Sequence, residues 1–408
     1  MSVTQLTTIF DFSSPNGLSA LTELPLFKSF FVGGFECSTH RTKAGRRLDL
    51  IAATAHDTHT AADYLRLQRQ GIRTVRSGIR WHLIEKSPGH YDFSSALPMI
   101  HHARETNTQV IWDLCHYGWP DHLNVFKPEF VRSFAGLSRA FAELLANETN
   151  GAQFISPINE ISFLSWASGD AGYFYPYMQR RGFELKTQFV RAAIESIEAV
   201  WSVLPGTRIL HADPVINIVA DPYRPYERAD AEGHRLALFQ SWDMLAGHMW
   251  PQLGGAEKYL DIVGVNYYPH NQWIHNTPAF NPSLALARDH KLYRPFRDIL
   301  LEIHARYRRP LFLAETGAEN DARVPWLAYI ADEVSAARKA GADIEGICLY
   351  PIINHPGWDD ERHCHNGLWD YANEEGEREI YQPLADELRR QQQRFFPKKL
   401  AAAAAGAS

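Results

Sequence analysis

Two glutamates in the 408-residue chain each sit at the end of a short β-rich run: Asn159-Glu160 follows Ser156-Pro157-Ile158, and Glu315 closes Leu311-Phe312-Leu313-Ala314. Arg76, His116 and the pair Tyr267-Tyr268 end three further runs of the same kind. A lone strand-end Glu is ordinarily a salt-bridge partner. Two that face one opening, accompanied by an Arg, a His, an Asn and tyrosines at matching positions, are equipped to split a bond between a general acid and a nucleophile. Cleavage of a glycosidic bond uses paired carboxylates in this way: about 5–5.5 Å between them gives retention, and roughly 6.5–9.5 Å leaves room for the water of inversion. One carboxyl must keep its proton while the other stays ionised. Arg76 is suited to hold a carboxylate anionic, and less polar surroundings keep a Glu protonated.

Something must bring these residues to one mouth, and the rest of the sequence says what. Eight β-rich runs recur, at 31–36, 72–77, 109–115, 153–159, 207–213, 261–267, 310–315 and 345–351. Most are separated by segments of helical periodicity. Between the third and fourth, Phe130, Phe134, Leu137, Phe141, Leu144 and Leu145 form one apolar stripe, with Arg132, Ser133, Arg139 and Glu143 on the other face. Strand-helix alternation carried to eight strands predicts an α/β chain folded as a single (β/α)₈ TIM barrel, with its chemistry at the C-terminal strand ends. The expected boundaries are an N-terminal extension over 1–30, the barrel over 31–397 and a low-complexity tail over 398–408. The long connections 161–186 and 269–293 are expected to be loops that build the pocket.

Composition narrows the partners. With 41 basic and 47 acidic residues the net charge is -6, and no Lys/Arg block tracks a phosphate backbone or an anionic bilayer, so neither nucleic acid nor membrane is expected. Cys37, Cys115, Cys348 and Cys364 are widely spaced, which reads as reduced thiols. The first residues lack a basic segment followed by an apolar one, so the expected location is cytoplasmic. No phosphate loop or dinucleotide fingerprint follows a strand. The histidines between His355 and His365 match no standard zinc spacing, so no metal and no cofactor are expected.

The motifs, taken in order along the chain, resemble glycoside hydrolase family 1 and, more broadly, its clan of (β/α)₈ retaining glycosidases, over about residues 31–371. Ser156-Pro157-Ile158-Asn159-Glu160 is similar to the family's acid/base motif, and Leu313-Ala314-Glu315-Thr316-Gly317 to its nucleophile motif. Gly264-Val265-Asn266-Tyr267-Tyr268 resembles the sixth-strand motif whose second Tyr contacts the nucleophile. Val75-Arg76-Ser77 resembles the second-strand motif whose Arg supports it, and Cys115-His116-Tyr117-Gly118-Trp119-Pro120 the third-strand motif whose His binds a sugar hydroxyl. The resemblance implies a retaining β-glycosidase, with Glu160 as acid/base, Glu315 as nucleophile, and Arg76 and Tyr268 supporting. A carbohydrate or glycoside is the implied substrate.

Two departures bear on which sugar is bound. His40 aligns with the family's first-strand Gln, and Gly357-Trp358 with its Glu-Trp pair, both readers of the outer sugar hydroxyls. The glycone is therefore expected to differ from ordinary glucose or galactose. The substrate-contacting set is expected to be His40, His116, Trp119, Asn159, Asn266, His355 and Trp358, with His363 as a further donor. Of the loop aromatics Trp166, Tyr173, Phe174, Tyr175, Tyr177 and Trp273, most are expected to pack the rim. Two other readings stand beside this one: an endo-acting or transglycosylating enzyme of the same clan, and a carbohydrate-binding barrel without catalysis. The intact Glu160, Glu315, Arg76 and Tyr268 weigh against the latter.

Overall fold

The computed structural model describes residues 25–276 and 284–396. Eight parallel strands close into a barrel: β1 (Phe31–Gly34), β2 (Thr74–Gly78), β3 (Gln109–Cys115), β4 (Phe154–Ile158), β5 (Arg208–Pro214), β6 (Ile262–Asn266), β7 (Leu311–Thr316) and β8 (Ile344–Leu349). Each strand pairs with its sequence neighbours, and closure comes from Phe31 against Ile347 and Val32 against Cys348. The expected fold class is the one observed.

Alternation along the strands divides the core in two. Val32, Ile111, Phe154, Leu210, Ile262, Phe312 and Ala314 fill the barrel interior. Phe31, Val75, Trp112, Ile155, Ile209, Val263 and Leu313 face the helices instead. The helix Pro128–Glu148 packs there through Phe130, Phe134, Leu137, Phe141 and Leu145, all buried, each stabilising the layer by about 1.5–3 kcal/mol. Phe27, within the expected N-terminal extension, belongs to the barrel: it plugs the N-terminal end against Phe154 and Phe312, with ring centroids at 5.4 and 4.8 Å. The tail over 398–408 lies outside the described residues.

Two local features aim the site. Across β6 and β7 the register runs Val265 to Leu313 and then Asn266 to Glu315, so Ala314 is an extra residue, a β-bulge. Strict alternation would turn Glu315 toward the helices. The bulge reverses the faces, so Glu315 opens into the mouth and Thr316 turns outward to accept from Trp326 Nε1 at 2.9 Å. On β1, Gly34 leaves room for the Tyr350 ring, since a Cβ there would stand 2.1 Å from Tyr350 Cδ2.

The connection 161–186, expected as a loop, is largely helical, with helices over Ile161–Gly169 and Gly182–Trp201. A continuous run of small and apolar residues from Ile161 to Gly169 supports a buried helix, and only 170–181 stays irregular. The connection after β6 contributes a strand, Gln272–Ile274, paired in parallel with Asn217–Val219 from the connection after β5. Residues 277–283 of that connection are not described.

Candidate active site

The floor of the barrel mouth is organised by Arg76, which is fully buried. Its Nε donates to Asp113 Oδ1 at 3.1 Å, Nη1 to Glu315 Oε1 at 2.6 Å, and Nη2 to Asn159 Oδ1 at 2.6 Å. A planar fork with five N–H groups can hold three strands in this way, and an ammonium cannot. The second oxygen of Glu315 accepts from the Tyr268 hydroxyl at 2.9 Å.

Glu160 follows β4 in a left-handed backbone conformation (φ 50°), its N–H bonded to Ala212 O at 2.9 Å and its carbonyl accepting from Leu164 N at 2.8 Å in the next helix. Its Oε1 accepts from Asn266 Nδ2 at 2.8 Å, and its Oε2 from the Tyr117 hydroxyl. Burial, and after it the Glu315 charge, pushes the Glu160 carboxyl up to about 8, so it carries a proton at neutral pH. Asn159 ties the two halves together. With Oδ1 pinned by Arg76, its Nδ2 donates to His116 Nε2 at 3.1 Å and to the Tyr117 oxygen at 3.0 Å. That leaves His116 Nε2 as an acceptor and puts the ring proton on Nδ1, which donates to Asp113 Oδ2 at 2.9 Å.

Above this floor opens a cavity of about 740 Å³. Of the sequence-predicted residues, Glu160, Glu315, Tyr268, His116, His355 and Trp358 line it. His355 is fixed by donating from Nδ1 to Pro356 O at 2.8 Å and accepting at Nε2 from Asn366 Nδ2 at 3.0 Å. Arg76, Asn159 and Asn266 lie beneath the cavity and act on its residues; the two asparagines, expected on the substrate, bond protein groups instead. Trp166, Tyr173 and Trp273 line the cavity, while Phe174, Tyr175 and Tyr177 are not among its walls.

Two expected contacts lie elsewhere. His40 is buried, stacked on Phe174 at 3.7 Å with Trp358 edge-on at 5.0 Å, and neither ring nitrogen has a partner. Burial pushes its pKa well below 6.5, so it is a neutral packing ring behind the cavity wall. Trp119 is turned into the helix layer, against Phe130 and Phe189, because the chain after β3 reverses at Tyr117 (φ 69°). His363, also expected to serve the sugar, lies outside the cavity, stacked on His365 and Tyr371.

Among the cavity residues that the sequence did not single out are Glu36, Tyr117 and Tyr350. The first β-rich run was expected to end at Glu36, so the strand-end rule applied to Arg76 and Glu315 identifies Glu36 as well. Tyr350 likewise follows β8. Tyr117 carried no signal, since only the geometry shows its hydroxyl on Glu160.

Two groups among the described residues bring potential metal ligands within 4.8 Å: Cys37, Asp113 and His116, and His363, His365 and Asp370. In the first, Asp113 is already paired with Arg76 at 2.9 Å, whose charge disfavours a cation. In the second, His363 Nε2 is engaged by Asp370 at 2.6 Å and the imidazoles stack face to face at 4.2 Å, an orientation unsuited to a common ion. The four cysteines are free and buried, and no described helix is long and apolar enough to cross a membrane.

No protein-family model matches the sequence, and no curated protein sequence matches it. Solved structures do match in fold. A β-glucosidase from Thermotoga maritima in complex with glucoimidazole shares 15% identity over 90% of this chain and 98% of its own, with a TM-score of 0.71. The family 1 β-glucosidase from the same organism gives 14% identity, 89% and 98% coverage and a TM-score of 0.70. A hyperthermophilic β-glucosidase mutant gives 14%, 88% and 98%, and 0.69. Across nearly its whole described length the chain has the (β/α)₈ barrel fold of these β-glucosidases.

Proposed function

We propose that the protein is a retaining β-glycosidase in which Glu160 is the general acid/base and Glu315 the nucleophile. The observation that carries this reading is the opposite environment of two glutamates at one cavity. Glu315 faces a guanidinium and a phenol O–H, both of which favour its anion. Glu160 is buried beside that anion and keeps its proton to about pH 8.

In the first step a Glu315 oxygen attacks the anomeric carbon as the glycosidic C–O bond breaks, and the Glu160 proton passes to the departing oxygen. In the second, Glu160, now anionic, takes a proton from a water that attacks the same carbon, and Glu315 leaves as carboxylate. Arg76 and Tyr268 then receive the returning charge, and Asn266 and Tyr117 hold Glu160 in line through both steps. His116, Tyr350 and Trp358 offer the glycone a hydrogen bond and ring faces. A recess of about 330 Å³ adjoins the cavity and shares Phe163, Trp166, Pro214, Ile216 and Trp273 with it, which suits an apolar aglycone.

The support from fold similarity to β-glucosidases extends to the scaffold, and the glycone is read from this chain's own walls. Gly357 offers no side chain to the glycone, and a Cβ there would displace the Asp360 carboxylate, 2.2 Å away. An outer-hydroxyl reader must come from elsewhere, and the glycone accordingly departs from plain glucose or galactose.

The roles are tested with aryl β-glycosides bearing good leaving groups. Glu160→Ala is expected to form the glycosyl-enzyme and be rescued by azide, giving a β-glycosyl azide. Glu315→Ala with azide is expected to give the α product. Swapped stereochemistry would reverse the assignment, and no turnover of any β-glycoside by the unmodified protein would remove it.

A further inference from the structure

Glu36 follows β1 and lines the cavity. It is only 7% exposed. Its Oε1 accepts from Ser38 N–H at 2.9 Å and from the Ser38 hydroxyl. Neither Lys, Arg nor His pairs with Glu36 among the described residues, and its Oε2 has no hydrogen-bond partner among them. The nearby buried cation, Arg76, is spent on Asp113 and Glu315. Oε2 is not among the unpaired atoms sealed inside the protein; it opens on the cavity, where a ligand group can meet it.

The surrounding wall sharpens the point. Among the residues lining the cavity are four acids, Glu36, Glu160, Glu315 and Asp359, and no Lys or Arg. Glu160 is neutral by its proton and Glu315 is offset by Arg76, whereas Glu36 has no ion-pair partner among the described residues and acts at longer range on the buried His116, whose pKa its charge helps to raise. Carboxylates that read a vicinal diol do so with two oxygens. Here both donors of Ser38 occupy Oε1, and Oε2 remains for the ligand. Glu36 follows β1, which pairs with β8, and Glu160 follows β4, three strands away around the barrel from β1, so the ligand's donor is assigned to a ring carbon other than the anomeric one.

We infer that Glu36 is the binding point for a protonated amino group on the glycone, making this cavity a site for a basic amino sugar. The inference rests on the reading of the cavity as a glycone site and deepens it. The same charge excludes glycones bearing phosphate or carboxylate.

The test is direct binding, measured by calorimetry at about pH 6, where aliphatic amines are protonated. The ligands are methyl β-glycosides of 3-amino-3-deoxy-, 4-amino-4-deoxy- and 6-amino-6-deoxyglucose and their galacto counterparts, each beside its parent hydroxyl sugar and its N-acetyl derivative. At least one amine should bind about 10- to 100-fold more tightly than both its parent and its N-acetyl form, the range of a buried charge-assisted contact. Glu36→Gln, nearly the same shape, should abolish that preference. Equal affinity for amine and parent across the panel would overturn the inference, as would an amine preference that survives in Glu36→Gln. The comparison on the unmodified protein decides the matter if the variant does not fold. Because these measurements follow binding and not turnover, failure of the hydrolytic reading would appear separately, as tight amine binding without cleavage of any glycoside.

Discussion

The floor and the rim of the cavity are built on different terms. On the floor, both oxygens of Glu160 and both of Glu315 are held by protein donors: Arg76 and Tyr268 on Glu315, Asn266 and Tyr117 on Glu160. Toward the rim the polar atoms are left open. Trp358 and Asn366 line the cavity with Nε1 and Oδ1 unpaired, and Glu36 Oε2 has no hydrogen-bond partner among the described residues. A reaction centre that must meet its transition state without rearranging benefits from being fully bonded beforehand. A recognition surface needs groups that the ligand itself will satisfy.

The largest effect expected from this contrast concerns Arg76. Removing it in Arg76→Leu leaves Asp113 and Glu315 as buried carboxylates without their shared cation, and should cost about 3–5 kcal/mol of stability in urea unfolding. Arg208, paired with Asp261 at 2.7 Å near the opposite end of the barrel but 36% exposed, is the control. Arg208→Leu should cost about 1 kcal/mol or less. Similar losses for both would mean that the floor is not the interdependent network described.

A smaller effect is expected on the pH profile. The first step needs Glu160 protonated, so kcat/KM should fall as pH rises through about 8. The Tyr117 hydroxyl donates to the Glu160 anion and lowers its pKa against the opposing effects of burial and Glu315. Tyr117→Phe withdraws that donor, so the alkaline limb should move to higher pH. A limb that stays in place, or moves down, would take Tyr117 out of the acid's environment.

The smallest effect is reserved for His40. Both its nitrogens are buried and unpaired, so His40→Phe keeps the stack on Phe174 and removes two unsatisfied polar atoms. Stability should be unchanged or higher, within about 1 kcal/mol, and activity should stay within a few-fold. A large rise in KM would put His40 back on the substrate.

The same division governs what the sequence conveys. Residues on strands were legible, because period-2 alternation places the elements to within a residue or two and strand ends converge by the geometry of a barrel. Arg76, His116, Glu160, Tyr268 and Glu315 all meet at the mouth for that reason. The exact aim of Glu315 was not legible: it depends on the Ala314 bulge, which no residue type announces. Connections were read less well. The helix Ile161–Gly169 lacks the polar face that would have distinguished it from a loop, so its apolar run carried no clear period. His40 and Trp119 were placed by counting from motifs across segments where the backbone reverses, at Tyr117 for one of them, and a single reversal changes which side chain points inward. Glu36, nearer the strand by four positions, holds the place expected of His40.

The central claim is that Glu315 is the residue to which the glycone becomes bonded. It is tested most directly by incubating the protein with an activated 2-deoxy-2-fluoro-β-glycoside of whichever sugar it hydrolyses, then mapping the adduct by peptide mass spectrometry. One sugar per chain is expected, on the peptide containing Glu315, and none in Glu315→Gln. An adduct on Glu160 or Glu36, or turnover of the parent glycoside with no adduct at any residue, would contradict the assignment.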